Sequence, residues 1–204
     1  MNKHAAPEFA MSFTHEAVLL ERRQGHDWHP LGQAQFSGGD LSARLNALRE
    51  VVLDDGTAAE NDLDTVLIIP DDQVLYITLT VPANSDISAE IGRALERITP
   101  YAADDLSYDW CLAEGGDPDS LRVAAVARRT LEEAEDFAVS QGFRPTGFIA
   151  RPEDERFDGQ PDFGASRLSQ QKPSRGPFSE SELLLAGVTA EQINAPVQAR
   201  PAAD

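Results

Sequence analysis

The chain has 204 residues and a formal net charge of −18, from 35 acidic and 17 basic residues, a length that fits one full domain with a further segment. A surface this acidic repels the phosphates of nucleic acid and an anionic membrane face, so we expect neither as a partner. Cys111 is the single cysteine, which excludes an internal disulfide and a cysteine-based zinc site. No run approaches the ~18 apolar residues of a membrane span, so we expect a soluble chain.

The first part of the chain predicts a hairpin followed by a helix. Residues 12–22 carry the apolar residues Phe13, Ala17, Val18, Leu19 and Leu20, and residues 28–36 alternate well enough to pair with them. This pattern predicts two strands joined by a turn at 24–27. Asp40 is placed to cap a helix over 40–53, because leucine and valine recur there at helical spacing.

The middle of the chain predicts a buried strand, a second strand and an amphipathic helix. The run TVLIIP at 65–70 is apolar and β-branched, as in a central strand covered on both faces. Residues 74–81 mostly alternate and form the second strand. Residues 87–99 carry an apolar stripe at helical spacing, with Ser85 or Asp86 as the N-terminal cap.

A second amphipathic helix is predicted over 131–141. Thr130 and Glu133 have the T-x-x-E spacing of a capping box, and Gly142 provides a C-terminal stop. A last strand follows at 145–150.

After this strand the composition changes to proline, glycine, aspartate, serine and glutamine without an apolar period. Such a segment cannot bury enough surface to offset its ordering entropy. The sequence therefore predicts a domain over 9–152 and a flexible tail over 153–204, with a possible short helix at 179–194.

The element order from Thr65 to Ile149 resembles the ribonuclease-H-like layer from which actin-like domains are built. Two short patterns add to it: Thr99-Pro100-Tyr101 ends a helix, and Tyr108-Asp109-Trp110 lies in the strand that follows. With them, the chain resembles the cytoplasmic actin-like domains of type II secretion protein L and of the type IV pilus assembly protein PilM. The resemblance implies an α/β fold, a mixed sheet flanked by helices, with a disordered C-terminal tail.

The same resemblance implies a function. We expect a non-catalytic, cytoplasmic scaffold of a secretion or pilus-type cell-envelope assembly. It would bind protein partners, such as a secretion ATPase or an inner-membrane assembly protein, and reach the inner membrane through them.

Actin-like domains often bind ATP, using a D-x-G turn between their first two strands. The turn at 24–27 has no such motif. A P-loop is also excluded, because it needs a lysine and the two lysines of the chain, Lys3 and Lys172, lie outside the predicted domain. We expect no cofactor and no catalytic residue. Two alternatives stay open: a nucleotide-binding or metal-dependent hydrolase on the same fold, and an autonomous interaction domain that acts through its C-terminal tail.

Metal-ligating residue types are present without a convincing pattern. Asp71 and Asp72 follow a predicted central strand, where carboxylates could hold two magnesium ions, but a solvent-exposed turn is the expected structure. His26 and His29 would point to opposite faces of an extended chain. Cys111 is expected to be a buried, unreactive thiol. We therefore predict no metal site.

One surface is predicted to bind a partner. Residues 102–106 connect a helix to a strand and should run over the surface. The candidate residues are two tyrosines, which give rigid contact area, and two acids, which favour a basic partner: Tyr101, Asp104, Asp105 and Tyr108.

Overall fold

The computed structural model describes residues 7–25, 27–54, 63–82, 84–113 and 119–171. One compact unit ends at Gln170. The helix predicted at 179–194 lies outside the described residues, and so do His4 and His26. Within the described part, the strands are Phe9–Phe13 (β1), Ala17–Gln24 (β2), Asp27–Gln35 (β3), Asp64–Ile69 (β4), Leu75–Thr80 (β5), Leu106–Leu112 (β6), Ser120–Ala127 (β7), Arg144–Ala150 (β8) and Asp162–Ala165 (β9); the helices are Leu41–Asp54 (α1), Ile87–Ile98 (α2), Arg128–Ser140 (α3) and Arg167–Gln171 (α4).

A six-stranded mixed sheet has the order β3-β2-β1-β4-β8-β9. Strand β4 pairs in parallel with β1 and β8, whereas the other neighbouring pairs are antiparallel. Its residues Thr65 to Ile69 are all buried, as expected of an apolar strand in the interior of a sheet. The predicted central position of this strand is confirmed, and so is the α/β class with a mixed sheet flanked by helices.

Helices α1 and α3 supply apolar side chains to the main core of this sheet. The buried residues Leu45 and Val52 of α1 belong to the same cluster as Leu131 and Ala138 of α3, together with Leu67 of β4. This face of the sheet is therefore shielded from water, which stabilises the layered architecture.

A second, antiparallel sheet has three strands in the order β5-β7-β6. Helix α2 packs on it through Ile91 and Leu95, which cluster with Leu121 and Val123 of β7. The predicted cap is confirmed, because the Asp86 carboxylate accepts a hydrogen bond from the Ala89 amide at 3.2 Å.

The predicted start of the third helix is wrong. Strand β7 runs directly into α3, whose N-terminal cap is Ala127, so Thr130 is already the third helical residue. Glu133 pairs instead with Arg129 one turn earlier, at 2.8 Å. The predicted stop at Gly142 agrees with its φ of +82°, in the left-handed region that glycine readily adopts.

The predicted two-stranded beginning is also incomplete. The hairpin between β2 and β3 is present, with Gln24 opposite Asp27. A separate strand, β1, precedes it and is joined to β2 by a three-residue turn, Thr14 to Glu16. The predicted strand over 12–22 therefore spans this turn, because the apolar residues on both sides of it mask the break.

The predicted domain boundary at residue 152 falls too early. Residues 162–165 form β9, which pairs with β8, and the side chains of Phe157 and Phe163 are 6% and 5% exposed within the main core. Two phenylalanines and backbone hydrogen bonds anchor a segment that is otherwise polar, so composition alone does not reveal it. Of the described helices, none has the length and apolar character needed to cross a membrane.

Candidate partner-binding site

Three of the four predicted partner-binding residues lie at the surface. Tyr101 is 46% exposed, and Asp104 and Asp105 are exposed in a short 3-10 turn. Hydrogen bonds shape this connection: the Tyr101 amide donates to Thr99 Oγ1 at 3.3 Å and the Ala103 amide to Glu96 Oε1 at 3.0 Å. The connection thus presents these side chains on a backbone held by local contacts.

Tyr108 has a different environment from the other three. It is half-buried on β6 and packs against the cluster that contains Ile91 of α2. Its hydroxyl lies 3.5 Å from the Ser88 carbonyl oxygen of the same helix. Tyr108 therefore supports the packing of α2 on the three-stranded sheet.

The surface around Tyr101 is mixed in charge rather than purely acidic. Arg128 Nε donates to the carbonyl oxygen of Asp104 at 2.7 Å, and Arg129 is paired with Glu133. These two arginines begin α3 and reduce the negative potential that the neighbouring acids would otherwise produce.

The turn between β1 and β2 is closed by Thr14. Its hydroxyl oxygen accepts hydrogen bonds from the amides of Glu16 at 3.3 Å and Ala17 at 3.0 Å. The Thr14 amide donates to the carbonyl oxygen of Ala17 at 2.9 Å. Because these amides already have partners, little of the turn's donor capacity is available for an anion.

A cavity of about 730 Å³ lies beside this turn, where the parallel strands β1 and β4 end. Its floor is apolar, and the rings of Phe13 and Phe137 meet edge to face with centroids 5.7 Å apart. Four carboxylates and one histidine lie among the lining residues, and none of the described lining residues is Lys or Arg; the lining is Phe13, Thr14, His15, Phe36, Ile69, Pro70, Asp71, Asp72, Gln73, Thr130, Glu133, Ala134, Phe137 and Glu153.

Three of the four carboxylates have partners, and they differ in burial. Asp71 is not the exposed turn residue that the sequence predicts: its side chain is 17% exposed and pairs with Arg156. Asp72 lies 3.4 Å from the exposed His15, and Glu133 pairs with Arg129.

Tyr76 and Arg156 complete the surroundings of Asp71. The Tyr76 hydroxyl donates to Asp71 Oδ1 at 2.7 Å, and the Arg156 guanidinium lies 4.7 Å from the centroid of the Tyr76 ring. Burial, followed by the hydrogen bond to Asp71 and its negative charge, raises the pKa of the Tyr76 phenol well above its ordinary value. This cluster joins β5 to the segment that follows β8.

Metal-ligating side chains do not gather in the described part of the chain. No three His, Cys, Asp or Glu side chains within it form a group that could hold a metal ion. Cys111 is half-buried rather than fully buried, and its sulfur accepts a hydrogen bond from the Asp158 amide at 3.4 Å.

Sequence reasoning missed the cavity. Its acids and aromatics come from the end of β1, the residues that follow β3 and β4, helix α3, and Glu153 after β8, which are far apart along the chain. The available signal was that carboxyl ends of parallel strands meet at one edge of a sheet, where ligands of α/β proteins commonly bind. Merging β1 and β2 into one strand concealed that edge.

No protein-family model matches the chain, and no curated protein matches its sequence significantly. Its structure is similar to "Cyto-EpsL", the cytoplasmic domain of EpsL, an inner-membrane component of the type II secretion system of Vibrio cholerae. That match has a TM-score of 0.48 and 13% identity, over 71% of this chain and 60% of that one. A match to a chain of the PilM–PilN type IV pilus biogenesis complex has a TM-score of 0.48 and 14% identity, over 69% and 46%.

A third match is a Bacteroides thetaiotaomicron protein with an actin-like ATPase fold and unknown function, with a TM-score of 0.34 and 7% identity, over 74% of this chain and 55% of that one. The chain thus spans between 46% and 60% of the three matched chains. The first two matches come from the two groups that the sequence resembles.

Proposed function

We propose that this protein is a non-catalytic component of a secretion or pilus-type assembly at the cell envelope, and that it acts in the cytoplasm by binding protein partners. The sequence resemblance to secretion protein L and PilM supports the kind of assembly. The residues around the β1–β2 turn support binding rather than nucleotide chemistry.

The turn between β1 and β2 is the observation that carries this proposal. A nucleotide-binding actin-like domain would present free backbone amides and a carboxylate there to a phosphate and its metal ion. In this chain Thr14 accepts two amide hydrogen bonds within the turn, and no glycine allows a phosphate to approach the backbone closely.

The cavity beside the turn disfavours a polyphosphate for a second reason. Asp72, Glu133 and Glu153 line it, and the nearest paired arginines, Arg129 and Arg156, already neutralise carboxylates. A triphosphate placed there would meet negative charge without a compensating cation.

The surface of Tyr101, Asp104 and Asp105 supports the binding of a protein partner. An exposed tyrosine provides contact area at low entropic cost, and neighbouring charges of both signs orient a partner. We propose that the partner is a secretion ATPase or an inner-membrane assembly protein that presents a complementary charged segment.

Isothermal titration calorimetry with millimolar Mg-ATP tests the proposal. We expect no binding heat beyond dilution, because the amides of Thr14, Glu16 and Ala17 already have acceptors and none of the described residues that line the cavity is Lys or Arg. A parallel titration with Mg²⁺ alone serves as the control. A micromolar dissociation constant for Mg-ATP would refute the proposal that this chain binds protein partners in place of a nucleotide.

A further inference from the structure

We propose that the cavity at the ends of β1 and β4 is a docking groove for a basic and apolar segment of a partner protein. The inference rests on the proposed function, because it gives the same cavity a peptide occupant in place of a nucleotide. The occupant is an extended segment that combines arginine or lysine with large apolar side chains.

The floor of the groove fits apolar side chains. Phe13 and Phe137 form its aromatic base, and Phe36 is 44% exposed at its edge. A volume of about 730 Å³ lies within the usual range of about 300 to 1,000 Å³ for ligand pockets. Covering Phe36 would remove apolar surface from water and so favour binding.

The rim of the groove selects positive charge. Glu153 is exposed and has no hydrogen bond or ion pair to another described residue, so its carboxylate can accept a cation from outside. Among the described residues, Asp72 pairs with the exposed His15 at 3.4 Å. A basic side chain would gain charge-assisted hydrogen bonds here, whereas an acidic peptide would be repelled.

The groove also adjoins the surface predicted from the sequence. Glu133 lines it and pairs with Arg129, and the neighbouring Arg128 donates from Nε to the Asp104 carbonyl oxygen at 2.7 Å. A partner that contacts Tyr101 could therefore extend a segment into the groove along the start of α3.

Fluorescence anisotropy with the full chain tests the proposal. The probe is a labelled hexapeptide that alternates arginine with phenylalanine and leucine. One comparison peptide has glutamate in place of arginine, and the other has alanine in place of both apolar residues. We expect saturable binding of the probe, and binding at least about tenfold weaker for each comparison peptide.

Substitutions in the protein locate the site. Phe36→Ala should weaken binding of the probe by about tenfold, and Glu153→Gln by about two- to fivefold, as for a charge at the rim of an interface. Glu132→Gln is the matched control: it removes the same charge from an exposed position on α3 outside the cavity lining, and binding should be unchanged. Thermal melting of each variant establishes that it is folded.

Several results would contradict the assignment of this cavity as a docking groove for a basic and apolar segment. Equal affinity for the three peptides would do so. An equal loss of probe affinity in Glu132→Gln and Glu153→Gln would also do so, because it would mean that the probe is attracted to the acidic surface as a whole. Concentration-dependent dimerisation that Phe36→Ala abolishes would assign the groove to a second copy instead. If neither the peptide nor Mg-ATP binds, this inference alone is rejected. If Mg-ATP binds, the proposed function is rejected.

Discussion

Thr14 shows how one side chain can change what a turn is able to bind. Its hydroxyl accepts hydrogen bonds from the amides of Glu16 and Ala17 and donates to the Ala17 carbonyl oxygen at 3.0 Å. The turn is therefore stabilised from within, in the manner of serine and threonine turn motifs.

Tyr101 and Asp105 provide the first residue-scale prediction. Replacing both with alanine should weaken binding to the proposed partner, a secretion ATPase or an inner-membrane assembly protein, by about 1 to 3 kcal/mol, because exposed tyrosines and charges contribute at interface centres. The melting temperature should change little, since both side chains are exposed. Surface plasmon resonance at low and high salt measures the loss and its electrostatic part.

Tyr108→Ala is the matched comparison for that double variant. Because Tyr108 packs against the α2 cluster, its truncation should lower the melting temperature more than the double variant does. If the double variant melts markedly earlier and the protein that stays folded binds as before, Tyr101 does not belong to a binding surface.

Tyr76 provides a prediction about pH. Burial and the hydrogen bond to Asp71 raise its phenol pKa, so the folded state holds the proton more tightly than the unfolded state does. This contribution to stability is fully present below the unfolded pKa of about 10 and is lost as the pH rises toward the folded value. As the pH rises above about 10, the Tyr76→Phe variant should therefore lose less of its free energy of unfolding than the unsubstituted protein does.

Urea unfolding followed by circular dichroism at about pH 8 and about pH 11 measures this difference, with each protein's midpoint at the lower pH as its reference. If the urea midpoint falls by the same fraction in the unsubstituted protein and in Tyr76→Phe, Tyr76 does not contribute to the loss of stability at high pH.

At the scale of elements, the segment after β8 ties the two sheets together. Arg122 Nη1 donates to the Glu155 carbonyl oxygen at 2.6 Å, and Ser107 Oγ donates to the Phe163 carbonyl oxygen at 2.7 Å. Pairing of β9 with β8 is close at Gly147, where an added Cβ would lie 3.0 Å from the Gly164 carbonyl oxygen. A side chain at this position would require the Gly164 backbone to move by a few tenths of an ångström.

Phe163→Ala tests the contribution of β9 to the fold. Its ring is 5% exposed in the main core, and truncation of a buried phenylalanine typically costs about 3 to 5 kcal/mol. The free energy of unfolding from urea titrations should fall by that amount. Leu168→Ala, at a side chain that is 41% exposed, should cost less than about 1 kcal/mol. Equal effects of the two substitutions would mean that β9 is not part of the cooperative unit.

The elements that could be predicted from sequence are those with strong local signals. The apolar run of β4 and the Asp86 cap of α2 are sufficient to place these two elements. Strand β1, β9 and the division into two sheets could not be predicted in this way, because they depend on pairing between distant segments. The cavity was missed for the same reason: Phe36, Glu133 and Glu153 meet only in the folded chain.

At the scale of the whole molecule, the net charge of −18 agrees with a surface that favours basic partners. Ion pairs within the described residues attach several arginines to carboxylates, as at Arg156 and Arg167. Partner binding should therefore weaken as salt screens these charges.

In the proposed function, the β1–β2 turn and its cavity serve partner binding and do not hold a nucleotide. The ¹H–¹⁵N spectrum of the full chain, recorded with increasing Mg-ATP, tests this at the residues concerned. We predict that the amide signals of Thr14, Glu16 and Ala17 stay in place up to millimolar nucleotide, while the basic hexapeptide shifts signals from the cavity lining. Saturable shifts of the turn amides at micromolar Mg-ATP would contradict the account.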